Sequence, residues 1–102
     1  MANRNRNTRF EVRNYNEQER ESTVRRIASY LRTLANRRND GTVSADDVHT
    51  YLTRDGVREQ QVRTRLSFIN SVFSTGMFEQ VGMAPSTRPQ AKGRSISMWT
   101  TA

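Results

Sequence analysis

Sixteen arginines and a single lysine stand against ten carboxylates in a chain of 102 residues, leaving a formal charge of +7. Lysine would keep a chain soluble equally well. Arginine adds a planar, permanently charged fork that matches a phosphate or the edge of a guanine. The bias therefore points to a polyanionic partner, of which nucleic acid is the commonest. Other reactive groups are sparse. With no cysteine there is no disulfide framework, thiolate metal site or Cys nucleophile. His49, the only histidine, has no second His or Cys to share a metal or a proton with. Asn36 to Asp47 imitates part of a calcium loop, but the third place is Arg38 and the twelfth is Asp47 instead of a bidentate Glu. Asp46 and Asp47 suit the start of a helix better than acid–base work, and no glycine run cradles a phosphate. Neither an enzyme, a metal nor a cofactor is expected.

The elements that must carry these charges follow from periodicity. Nineteen residues are Ile, Val, Leu or Phe, and most lie between Val24 and Val81, which predicts one small core with loose ends. Residues 1 to 15 read as a basic arm in which Asn and Arg alternate, with Arg9 to Arg13 able to form a short strand. Residues 16 to 102 form the domain. Val24, Ile27, Ala28, Leu31, Leu34 and Ala35 make one helical stripe over 16–38, opened by Asn16 with Glu19 as a capping box and stopped at Asn39-Asp40-Gly41. Thr42-Val43 allows one strand bridge. Ser44 caps a second helix over 45–54 that buries Ala45, Val48 and Leu52 with Tyr51 beside them, and Asp55-Gly56 turns the chain. A third helix over 58–75 is expected to bury Val62, Leu66, Ile69 and Phe73 and to end at Gly76. A strand from Met77 through Met83, a Pro- and Gly-bearing basic loop over 84–93 and an alternating strand over 94–100 complete the chain.

This order resembles the winged helix-turn-helix family over roughly residues 22 to 101. The residues that carry the likeness are Val43 to Val48 leading into the second helix, Leu52 closing it, Val62 and Leu66 on the third, Gly76-Met77-Phe78, and the hairpin around Arg88 to Arg94. It implies an α+β fold: a three-helix winged helix-turn-helix core with a C-terminal two-stranded β-hairpin wing and a basic N-terminal arm. In that family the third helix enters the major groove and the wing touches backbone or minor groove.

On that geometry Gln60, Gln61, Arg63, Thr64 and Ser67 face the bases, where Arg63 can reach guanine and a glutamine adenine. Ser71 shares the strip, which carries no acidic residue; Glu59 lies at the margin of the apolar stripe. Arg54, Arg58, Arg88, Lys92 and Arg94 hold phosphates, as do Arg4, Arg6 and Arg9 of the arm, which can enter a minor groove. Phe68 lies off the apolar stripe, and Trp99 lies opposite Ile96 and Met98. Each is either covered within the molecule or an interface with a partner or a second copy.

The leading expectation is a non-enzymatic protein that binds double-stranded DNA, as a transcription regulator or a genome-maintenance accessory factor. The rivals are a winged-helix protein-interaction module, an inhibitor or assembly subunit, and RNA binding through the arm. No apolar run reaches the ~18 residues of a membrane span, and Met-Ala-Asn-Arg-Asn-Arg-Asn lacks the apolar stretch of a signal peptide. An intracellular, soluble protein is expected.

Overall fold

A computed structural model describes residues 15–102. Arg4, Arg6, Arg9 and the arm strand expected over 9–13 therefore lie outside the described residues. Among the described residues, three α-helices and a three-stranded antiparallel sheet make an α+β arrangement compatible with a winged-helix-like layout.

Helix α1 (Glu17–Arg37) starts where its sequence says. The Asn16 side chain accepts from the Glu19 N–H at 2.7 Å, and the Glu19 carboxylate accepts from the Asn16 N–H at 3.3 Å. Ile27, Ala28, Leu31 and Ala35 turn into the core, with Val24 and Leu34 half-buried at its edge. After Gly41, which takes a left-handed φ of 66°, β1 (Val43–Ser44) makes a two-residue strand. Helix α2 (Ala45–Arg54) follows at once, under a second capping box formed by Ser44 and Asp47.

The apparent calcium loop is a different device. Arg38 donates to both oxygens of Asp47, at 2.9 and 2.8 Å, and to the Thr42 carbonyl at 3.1 Å. A guanidinium joins the end of α1 to the start of α2. The hydrogen bonds and charge of Asp47 hold Arg38 above its usual pKa.

Helix α3 (Val62–Phe73) departs from expectation in length and rotation. It starts four residues later than the predicted 58, because 58–61 forms a separate turn. The Gln61 side chain accepts from the Arg58 N–H at 2.8 Å, and the Gln61 N–H donates to the Arg58 carbonyl at 3.0 Å. It ends at Phe73 instead of 75, and Gly76, with φ 86°, serves the following turn.

The predicted stripe is also turned. Val62 is 56% exposed and Leu66 49%, whereas Arg65 is 1% exposed and Phe68 is fully buried. The inward face is thus Arg65, Phe68, Val72 and Phe73, rotated roughly a quarter-turn from Val62, Leu66, Ile69 and Phe73.

β2 (Phe78–Pro85) and β3 (Ser95–Thr101) form the hairpin, with a short 3-10 turn (Pro89–Ala91) in its loop. The sheet order is β1-β3-β2, and Val43 opposes Trp99 while Phe78 opposes Thr101. The register shifts between Gln80 and Gly82. Phe73 joins helix to sheet: its ring stacks on Trp99 with centroids 4.7 Å apart and meets Phe78 edge-on at 5.5 Å. Among the described residues no helix is long and apolar enough to cross a membrane.

Candidate nucleic-acid interface

Arg65 is the residue that organises the start of α3. Its Nε donates to the Arg58 carbonyl at 2.9 Å and its Nη2 to the Thr53 hydroxyl at 2.8 Å and to the Val57 carbonyl. Nη1 meets the His49 Nδ1 at 3.0 Å and the His49 carbonyl at 3.4 Å. One buried guanidinium therefore fastens α3 to the last two turns of α2 and to both carbonyls at the start of the connecting turn. The Glu59 carboxylate, 3.7 Å from Nη1, supplies the counter-charge. Burial pulls the Arg65 pKa down, but an arginine stays charged.

His49 accepts from that guanidinium through Nδ1, so its proton sits on Nε2. Burial first, then the charges of Arg88 and Arg65, push its pKa down to about 4. The unfolded chain binds a proton on His49 near pH 6.5 and the folded one does not. The neutral-state stability is thus complete above pH 6.5 and is lost as pH falls toward 4. We expect about 1–2 kcal/mol of stability to disappear between pH 7 and 5. Urea unfolding across that range measures it, and His49→Asn, which keeps an acceptor without titrating there, should flatten the slope.

The hairpin loop is latched beside the same turn. The Ser86 hydroxyl donates to Asp46 Oδ1 at 2.7 Å, and the Thr87 N–H donates to Asp46 Oδ2 at 2.8 Å. Arg88 pairs with Glu59 at 2.9 Å. Asp46 thus faces the hairpin, while Asp47 does the capping.

These contacts sort the expected base-reading residues. Gln60 is exposed in the turn and Arg63 is exposed on α3, both reachable by a ligand. Gln61 is half-buried and occupied with the Arg58 N–H, and Thr64 is half-buried. Ser67 is turned inward. Arg20 of α1 donates to its hydroxyl at 2.5 Å and its carbonyl at 3.2 Å, and to the Ser71 hydroxyl at 2.8 Å. The strip expected to be open is thus partly closed by the molecule's own first helix.

Among the expected phosphate holders, Arg58, Lys92 and Arg94 are exposed, and Arg88 is engaged by Glu59. Arg54 projects toward Tyr30 of α1, 5.8 Å from its ring centre. Phe68 is a core residue and not an interface: Tyr15 meets it edge-on at 4.8 Å and the Arg20 guanidinium lies 4.6 Å from its ring centre. Trp99 is half-buried against Phe73.

Sequence reasoning missed Arg65, although the signal was present. Arg65, Phe68 and Val72 fall at i, i+3 and i+7, a second stripe that is invisible while arginine counts as an outward residue.

No protein-family model, curated protein or solved structure matches the chain. Among the described residues no group of three or more His, Cys, Asp or Glu could hold a metal ion.

Proposed function

We propose that the chain is a non-enzymatic DNA-binding protein of winged-helix layout, acting as a transcription regulator or a genome-maintenance accessory factor. The reading rests on one juxtaposition, the latch of Asp46 with Ser86 and Thr87 and of Glu59 with Arg88. It brings the hairpin loop, with Lys92 and Arg94, beside the turn that carries Arg58 and Gln60 and the start of α3 that carries Arg63. Cations about 30 residues apart in sequence share one edge, and the Glu59 carboxylate of that turn is already held by Arg88 and Arg65. The start of α3 suits an anion as well. It has no side-chain cap and no acidic residue in its first turn, unlike α1 and α2. Arg63 and Gln60 are the base readers in this scheme. Arg58, Lys92 and Arg94, joined by Arg4, Arg6 and Arg9 of the arm, hold backbone.

A mobility-shift titration on duplex DNA at several salt concentrations tests the reading. Four to seven phosphate contacts give a log–log salt slope of about −4 to −6. Arg63→Ala should weaken a preferred duplex, found by selection from a random pool, by about 1–3 kcal/mol more than a random one. No binding at low salt, or binding indifferent to salt, removes the proposal.

A second reading, a protein-docking module, is favoured by the apolar character of the face beside this edge. Val62, Leu66 and Met83 (59% exposed) are open to solvent. Met83 also lines a groove of about 570 Å³ with Ile69, Phe73, Ile96 and Trp99. A stable protein complex that survives nuclease treatment would favour it. RNA binding through the arm predicts that deleting residues 1 to 15 abolishes binding to structured RNA.

A further inference from the structure

A second surface lies on the outer side of α1 and α2 and shares no residue with the edge described above. Ser22, Arg25, Arg26, Ser29, Tyr30 and Thr33 of α1 and Tyr51 of α2 line an open concavity of about 550 Å³. Tyr30 and Tyr51 form its floor, with ring centroids 5.3 Å apart and planes tilted by 56°. The Arg54 guanidinium lies 5.8 Å from the Tyr30 ring centre at one end. Among the described residues no acidic side chain lines the concavity. The nearest α1 carboxylate in sequence is Glu21, one turn before Arg25. Among the described residues Arg25, Arg26 and Arg54 have no carboxylate partner, and Arg26 donates only to the Thr23 hydroxyl, at 3.1 Å.

Three uncompensated guanidinium groups, a half-buried pair of aromatic rings and a row of hydroxyls suit one ligand chemistry particularly well. Phosphates take the guanidinium forks and hydroxyls, and an unstacked base takes a ring face. A duplex offers phosphates but keeps its base faces stacked. An acidic peptide offers carboxylates but nothing flat for the tyrosines.

We propose that this α1–α2 face is a binding surface for single-stranded nucleic acid, with Arg25, Arg26 and Arg54 on the backbone and Tyr30 and Tyr51 against a base. It is distinct from the duplex edge of α3 and the hairpin. A protein with both surfaces can hold a displaced or unpaired strand beside a duplex.

Fluorescence anisotropy with the full chain tests this, using a 12-nucleotide oligothymidylate, an oligouridylate of equal length and a duplex. The double variant Arg25→Ala/Arg26→Ala should weaken single-strand binding tenfold or more and reduce the salt slope by about 1.4, the value for two single-strand phosphates. Duplex affinity should stay within about twofold. Tyr51→Leu should weaken single-strand binding about fivefold or more with the salt slope unchanged, because stacking releases few ions. Tyr51→Phe keeps the ring and the packing and should bind as the unaltered chain does, which separates lost stacking from lost folding.

Equal weakening of single strand and duplex by the arginine pair would overturn the proposal, as would displacement of oligothymidylate by oligoglutamate at equal charge. Absence of single-strand binding at low salt would also overturn it. Arg63→Ala/Arg94→Ala, in contrast, should lower duplex binding alone. A chain that binds the single strand but no duplex would sink the reading of the α3 edge and leave this surface standing.

Discussion

Arg65→Met should be among the most damaging single substitutions in the domain, lowering stability by about 3–5 kcal/mol. Methionine matches much of the volume but has no donor. The carbonyls of Val57 and Arg58, the Thr53 hydroxyl and the His49 ring would all lose the partner that Arg65 now provides. The Arg58 carbonyl keeps the Gln61 N–H, and Thr53 and Arg58 lie at the surface, so the cost of ~1–3 kcal/mol for each acceptor left without a donor falls chiefly on the Val57 carbonyl and the His49 ring. Relaxation of the turn recovers part of that, which is why the expected loss is below their sum. A domain of this size is stable by about 5–15 kcal/mol, so the variant should be near its unfolding threshold. Urea unfolding measures the effect, with Arg63→Ala as a control that should stay within about 0.5 kcal/mol. Arg65→Lys should recover only part of the loss, since one ammonium cannot meet acceptors arranged around a planar fork. A loss below about 1 kcal/mol for Arg65→Met would mean that the guanidinium network carries little of the α2–α3 junction.

Phe68→Ala should cost about 3–5 kcal/mol through a cavity beneath α1. The ring is fully buried, and its neighbours are unusual for a core: Tyr15 meets it edge-on, and the Arg20 guanidinium lies over it. The cavity would therefore also loosen the Arg20 contacts to Ser67 and Ser71 and the Tyr15 hydroxyl's bond to Asp55, which is 2.6 Å long. Tyr15→Ala should cost less, about 1–2 kcal/mol, from one aromatic contact and one hydrogen bond to a carboxylate. The two substitutions should be non-additive, because the second removes a contact already lost in the first. A double-mutant cycle by thermal or urea unfolding gives the coupling. Additive losses would show that Tyr15 and Phe68 act independently.

The two substitutions also show where a helical wheel fails. Read by hydrophobicity, α3 offers Val62, Leu66, Ile69 and Phe73 as a tight stripe, and that stripe would place Ser67 and Thr64 before a ligand. The fold instead buries a charged residue and a phenylalanine and leaves two aliphatic side chains in solvent. The inward turn of Arg65 becomes favourable only when α2 supplies His49 and Thr53 and the connecting segment supplies the Val57 and Arg58 carbonyls. None of those partners belongs to α3, so no window along that helix announces them. Arg63 and Gln60 remain accessible, so the candidate duplex edge was legible in part. The α1–α2 surface was not, because Tyr30 and Tyr51 are far apart in the chain and meet only in the packed core's rim.

Where the deciding interactions are local, the amino-acid order was sufficient. Asn16 with Glu19 and Ser44 with Asp47 cap helices within three residues of themselves, and Gly41, Gly56 and Gly76 take left-handed turns that need no distant partner. The starts of α1 and α2, the turns, the hairpin and the basic character of the chain were therefore determined by sequence alone. The rotation of α3, the placing of the hairpin loop beside its first turn and the sorting of arginines into buried, paired and open were decided by tertiary structure. The solvation cost of a charge depends on which carbonyls and carboxylates surround it, and here those come from segments the chain brings together only on folding.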